Sequence, residues 1–208
     1  IELIKKYSIE FQINTTVMRK NFKELEGIFK IAVNLGAVSF HPFFMVPVGR
    51  GRNIQGEQLS AFEYEWALNK VREISLKSLI HCRPTCAPHY FRILNKHNVQ
   101  KTELGLDSLT SGCLGGKSFA FISSSGKVQA CGFLEIECGD IRKDAFSKIW
   151  YSSLVFDRLR NFSEYKGKCS ICEYIDLCGG CRARAYAATG DYLEEEPDCA
   201  YQPLTVRS

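Results

Sequence analysis

No stretch of this chain approaches the roughly 18 consecutive apolar residues that a membrane-crossing helix needs, so no span is expected. Low-complexity tracts and internal repeats are missing too, which excludes compositional linkers and solenoid arrays. Neither sign of charge is in large excess. Twenty-seven Lys and Arg against 23 Asp and Glu leave a net charge of +4, too mild for a nucleic-acid partner. No secretory leader is visible, although the first residue is Ile1 rather than Met. The 208 residues suit one large domain or one and a half. With 45% of them hydrophobic, the chain can bury a core without covalent staples.

What the chain has in abundance is cysteine, ten in all. Cys169, Cys172, Cys178 and Cys181 are spaced C-x2-C-x5-C-x2-C; Cys113 and Cys131 precede them, Cys199 follows, and Cys86 lies further upstream. Thiolate is a soft ligand, and a 4Fe–4S cube takes four of them from different backbone segments, so eight suffice for two clusters. Disulfides suit short secreted scaffolds better than a chain of this length. Zinc is the stronger rival: two C-x2-C pairs within thirteen residues also begin a zinc ribbon, and that window alone leaves both metals open. The outlying cysteines favour clusters. Thiolate clusters in turn suit a reduced, cytoplasmic setting.

The grammar of the chain changes near residue 100. Residues 8–17 alternate and are rich in Ile, Phe, Thr and Val, as a strand does. Asn21 with Glu24 predicts a capped helix start, and Phe22, Leu25, Ile28, Phe29, Ala32, Val33 and Leu35 follow helical spacing up to Gly36. Residues 37–48 read as a second strand, giving a βαβ unit with parallel strands, and residues 49–51 turn the chain. Ser60 with Glu63 predicts a capping box for a helix over 60–76, and residues 86–94 a short helix or loop. The second half predicts a hairpin (119–122 and 127–130), a short strand (139–141), helices over 146–152 and 154–161, and a helix over 182–188. Gly179 and Gly180 sit between two cysteines, where backbone must pass close to a metal.

The run CSICEYIDLCGGCRARAYAATGDYLEEEPDCAYQP, from Cys169 to Pro203, resembles the C-terminal SPASM extension of radical SAM enzymes. More narrowly it is similar to their tetrapyrrole branch, the siroheme-dependent heme synthases and heme d1 synthesis enzymes. The segments TCAPHYFRIL, GCLGGKSFAFISSSGKVQACGFL, QINTTV and FFMVPVGRG resemble the same group, so nearly the whole chain is covered. One departure is visible: Cys178 and Cys181 enclose two residues, where the general SPASM pattern has three. The resemblance implies an α/β fold. Residues 1–100 would form the C-terminal part of a partial (β/α)6 radical SAM barrel, and residues 101–208 a small α+β SPASM domain.

It also implies two auxiliary 4Fe–4S clusters with interleaved ligands. Cys169, Cys172, Cys178 and Cys199 would hold one. Cys113, Cys131 and Cys181 would hold the other, with Cys86 as fourth ligand and Cys82 as its rival. Cys138 reads as a packed thiol. Cys82-x3-Cys86-x2-His89 nearly reproduces the C-x3-C-x2-C triad of the SAM-binding cluster, but it follows what looks like the last barrel strand. No other such triad is present, so the chain looks like a C-terminal piece that lacks the SAM-cleaving half.

In the intact enzyme, SAM and a third 4Fe–4S cluster would generate a 5′-deoxyadenosyl radical. That radical would take hydrogen from a propionate of an iron porphyrin or related tetrapyrrole. Carbon dioxide would leave, and the auxiliary clusters would pass the electron to an external carrier. Asn14 and Thr16, with Thr15 between them, and Val48 and Gly49 are the candidates for SAM contact. Arg50 and Arg52 are the candidates for propionates, because the guanidinium fork matches a carboxylate. Arg182 and Arg184 flank Cys181 and read ordinarily as ion-paired. His41 and His89 read as iron ligands, proton donors or structural histidines. A radical SAM peptide maturase and a non-catalytic zinc module are the readings from other classes.

Overall fold

The computed structural model describes residues 1–99 and 112–204. The boundary expected near residue 100 lies outside the described residues. A short helix that the pattern does not announce, α1 (Glu2–Lys6), comes first, and β1 (Gln12–Val17) follows. This strand starts later than expected because residues 7–9 close the helix. Ser8 is in the left-handed region (φ 52°), and the Ile9 N–H bonds back to the Ile4 carbonyl.

Helix α2 (Leu25–Asn34) is preceded by a 3-10 turn, Phe22–Glu24. The capping box expected of Asn21 and Glu24 does not form. The Asn21 amide donates instead to the Thr16 carbonyl, and its oxygen accepts from the Met18 N–H, tying the helix entry to the end of β1. Val33, placed in the apolar stripe by its spacing, is exposed, whereas Leu25 and Ala32 are buried. Gly36 (φ 76°) takes the left-handed position just past the helix.

β2 (Ser39–Phe44) runs parallel to β1, with Asn14 beside His41 and Thr16 beside Phe43. A 3-10 stretch, Gly49–Glu57, replaces the simple turn expected there. Helix α3 (Ala61–Lys77) carries the expected box in full: the Glu63 N–H donates to the Ser60 hydroxyl oxygen, and the Ser60 N–H donates to the Glu63 carboxylate. The sheet then gains a third parallel strand that the pattern misses, β3 (His81–Cys82), before α4 (His89–Lys96).

Parallel pairing and strand alternation divide this sheet into two unlike faces. Val17, Phe40, Phe44 and Cys82 join Leu25, Tyr64, Leu68, Val71 and Ile93 of the helices in one core. Gln12, Asn14, Thr16, His41, Phe43 and His81 occupy the opposite face, and the His41 and His81 rings lie 5.4 Å apart. A parallel sheet is normally covered on both sides; this polar face is not packed on that core.

The second half is built from short pieces. β4 (Phe121–Ile122), β5 (Lys127–Gln129) and β6 (Gly139–Asp140) form an antiparallel sheet. Helices α5 (Phe146–Ser152) and α6 (Leu154–Arg160) close a second core around Val128, Leu134, Ile149, Phe156 and Leu159. The one-turn helix α7 (Gly167–Ser170) gives Cys169 to a third core with Tyr165, Ile175 and Leu193, and helix α8 (Arg182–Thr189) packs Ala183 into the second. Among the described residues no helix is long and apolar enough to cross a membrane.

Candidate metal centres

All ten cysteines are free thiols, and eight of them line two cavities. The first cavity begins with the pairing of β2. Beyond β3 the chain stays alongside its neighbour: the Thr85 N–H donates to the Pro42 carbonyl (2.9 Å), and the Phe44 N–H donates to the Thr85 carbonyl (3.0 Å). Cys86 therefore emerges past the C-terminal end of the sheet. Its backbone is left-handed (φ 56°), a strained geometry for a residue with a Cβ. Two donors hold it: the Tyr64 hydroxyl (3.0 Å) and the Arg184 guanidinium (2.8 Å) both donate to the Cys86 carbonyl. Cys113, Cys131 and Cys181 complete the thiols of this cavity, beside His41, Phe43 and Phe133. The Phe133 N–H points at the Cys131 sulfur (3.4 Å).

Cys169, Cys172, Cys178 and Cys199 line the second cavity. The Gly180 N–H reaches the Cys178 sulfur (3.4 Å), the Glu196 N–H the Cys169 sulfur (3.5 Å), and an Arg182 N–H the same sulfur (3.7 Å). Gly179 and Gly180 both have positive φ, which lets the chain double back between Cys178 and Cys181. The two cavities touch through backbone: the Cys113 N–H donates to the Cys178 carbonyl at 3.0 Å.

A buried polar layer stands between them. Arg184, with no exposed surface, donates from Nε to Glu196 Oε1 (2.9 Å) and lies over the Tyr64 ring. Glu196, 1% exposed, also accepts from the Cys181 N–H. Asp198 accepts from Gln58 (3.0 Å) and lies 3.5 Å from Arg184. Burial, the largest single influence, would raise the Glu196 carboxyl, but the Arg184 charge, His89 and the hydrogen bonds from Arg184 and the Cys181 N–H together outweigh it and hold the group down at about 2. Burial pushes the Cys181 thiol up to about 12 and Cys199 to about 11, and raises Cys86, Cys131, Cys172 and Cys178 as well. Such thiols give up their protons to a metal rather than to solvent.

The donor set fits iron–sulfur clusters. Among the described residues no three His, Cys, Asp or Glu side chains converge on a point as a single ion requires. Zinc draws thiolates to roughly 2.3 Å from one centre; a cube spreads its four over separate iron corners. Buried donors without acceptors also line the second cavity, on His89 and Arg92, and Arg182, whose Nη2 reaches the Cys169 sulfur, carries another.

The near-triad does not assemble. Cys82 packs in the first core, Cys86 lines the first cavity and His89 lines the second. Burial pushes the His89 imidazole down to about 3. Cys138 is packed at the second core. Asn14 and Thr16 sit on the polar sheet face. Val48 and Arg52 line a separate cavity with Glu135 and Tyr186. Arg52 lies 3.4 Å from Glu135, and Gly49 and Arg50 are exposed in the 3-10 stretch. Sequence reasoning missed Glu196 and Tyr64. A run of three glutamates reads as a solvated surface, and the only local hint is the proximity of Glu196 to Cys199.

Comparison with known proteins bears out the resemblance read from the cysteine-rich run. Residues 113–182 match SPASM, an iron–sulfur cluster-binding domain. The chain is 48% identical over 209 aligned residues to an AdoMet-dependent heme synthase of Methanosarcina barkeri (strain Fusaro / DSM 804). That alignment covers 98% of this chain and 59% of that protein. It is 45% identical to the AdoMet-dependent heme synthase of Nitratidesulfovibrio vulgaris, covering 98% and 57%. The chain therefore spans little more than half the length of these relatives. The crystal structure of Streptococcus suis SuiB bound to precursor peptide SuiA superposes with a TM-score of 0.67 at 14% identity. It covers 96% of this chain and 47% of that one, a likeness of fold.

Proposed function

We propose that this chain is the C-terminal portion of a radical SAM enzyme of heme biosynthesis, one that oxidatively decarboxylates iron-porphyrin propionates, from iron-coproporphyrin to heme. What carries the reading is 48% identity, along 98% of the chain, to a protein named for that synthesis. In this reading residues 1–100 supply the last part of the barrel and residues 101–208 the cluster domain. Cys86, Cys113, Cys131 and Cys181 hold one 4Fe–4S cluster; Cys169, Cys172, Cys178 and Cys199 hold the other. When bound, such clusters supply one-electron redox chemistry.

The chain's own residues do the positioning. The polar sheet face, with Asn14, Thr16 and His41, would face the barrel interior, and Asn14, Thr16, Val48 and Gly49 would hold SAM. The first cavity opens past the C-terminal end of β2, where barrel enzymes place their chemistry. His41 and Phe43 there share a cavity with the four thiols that would hold a cluster, and that cluster would supply one-electron redox chemistry beside the barrel interior. Arg50 and Arg52 meet the propionates, Arg52 exchanging Glu135 for the substrate carboxylate. An external carrier takes the electron onward, in a reduced cytoplasmic compartment.

The protein carrying its upstream sequence provides the test. Anaerobic incubation with SAM, a low-potential reductant and iron-coproporphyrin is expected to yield 5′-deoxyadenosine and heme. Formation of 5′-deoxyadenosine with the porphyrin unchanged would overturn the substrate assignment.

A further inference from the structure

We propose that His89 donates a ring N–H to sulfur of the cluster held by Cys169, Cys172, Cys178 and Cys199, and so raises that cluster's reduction potential. The proposal rests on the cluster reading above. His89 is 1% exposed, and neither ring nitrogen has a hydrogen-bond partner. Burial without a partner costs stability, so a polar group in this position signals a missing acceptor. The nearest acidic oxygen, Glu196 Oε2, is 3.8 Å away, beyond hydrogen-bond range. That oxygen is already engaged by the Cys181 N–H and by Arg184.

The ring is also fixed in place. It packs edge-on against Tyr64 (centroids 5.0 Å, 80°), at the first residue of α4. The approach to α4 is held by the two donors on the Cys86 carbonyl. It lines the cavity that the four cysteines also line.

His89 is not alone. Arg92, three residues on, lines the same cavity and carries a buried Nε without an acceptor. Arg182, whose Nη2 reaches the Cys169 sulfur, also carries a buried Nε without one. The described lining of the first cavity includes no such orphaned donor. An anionic, sulfur-rich group supplies what these donors lack, and hydrogen bonds to sulfur raise a cluster's potential. An imidazole in either protonation state has at least one N–H, so the donation does not depend on its charge.

The test uses the full chain reconstituted anaerobically with iron and sulfide. Iron and sulfide are counted first, because a chain that binds no cluster removes the reading beneath the proposal, and the proposal with it. Redox titration followed by electron paramagnetic resonance then compares the unaltered chain with His89→Phe and His89→Gln. His89→Phe is expected to keep both clusters and lower the potential of one; His89→Gln, which retains an N–H, should restore part of the difference. Unchanged potentials in His89→Phe overturn the proposal. Loss of one cluster in both variants overturns it too, since His89 would then be a ligand. A measurement without any variant guards against misfolding: histidine labelled with nitrogen-15 should show a weak coupling to the reduced cluster. No coupling, or one as large as direct iron–nitrogen bonding gives, overturns it equally.

Discussion

Removing the carboxylate of Glu196 leaves the Arg184 guanidinium without its closest counter-ion at a site with no exposure. Breaking a buried pair from one side costs about 3–5 kcal/mol. Glu196→Ala should therefore lower the urea midpoint sharply and reduce iron loading at the first cavity, because the lost carboxylate accepts from the Cys181 N–H. Glu164→Ala removes a pair with the part-exposed Arg158 and should cost less than about 1 kcal/mol. Gly180→Ala puts a Cβ at φ 61°, against the Arg182 guanidinium and 3.0 Å from the Glu196 Cβ. Strain alone is about 1–3 kcal/mol, and iron bound per chain after reconstitution should fall. The cysteine grouping was legible because soft ligands at short spacings have few other uses. Glu196 was not legible: its partner stands twelve positions away, and the acidic run around it looks like surface. Cys82 and Cys86 show the same limit. Four residues apart and chemically identical, they diverge because β3 turns one into the core and the continued pairing at Thr85 carries the other past the sheet.

Helix starts show how far local patterns reach. Ser60 and Glu63 form the box that their spacing announces, each side chain accepting from the other's backbone N–H. Asn21 and Glu24 fail to form one because the Met18 N–H, just past β1, takes the Asn21 oxygen that would accept at the helix start. Ser60→Ala should cost about 1 kcal/mol, read as faster hydrogen exchange in the first turn of α3. The Ser60 N–H, with its hydroxyl, lowers the Glu63 carboxyl below its ordinary 4.5. A lowered carboxyl stabilises the fold fully above that value and loses its effect as pH falls through the shifted one. Exchange in that turn should thus become faster, relative to the rest of α3, as pH drops below about 4.5. β3 escaped notice for a different reason. Two residues carry no periodicity, and the strand exists only because β2 offers an edge at the right register.

At the scale of the molecule, two sets of four thiols predict about eight iron and eight sulfide per chain after anaerobic reconstitution. Cys172→Ala should halve both while leaving one cluster's spectrum intact; stoichiometric zinc without sulfide would contradict the assignment. The chain by itself should not cleave SAM when reduced with dithionite, because Cys82, Cys86 and His89 face three different surroundings. Sustained 5′-deoxyadenosine from this chain would refute that. Among the described residues, β1 has a neighbour on one side only, and the polar sheet face lies outside the first core. Strand edges of this kind pair with other chains, so size-exclusion profiles should broaden with concentration unless further barrel strands are supplied. Cys86 comes from the barrel side, whereas Cys113, Cys131 and Cys181 come from the other half of the chain. A cluster closed by these four is then a clasp as well as a redox group. If those four are its ligands, it would close only where β3 and Thr85 have paired with β2, so cofactor insertion would be a checkpoint on barrel maturation. A misfolded barrel would be recognisable as protein with half its iron.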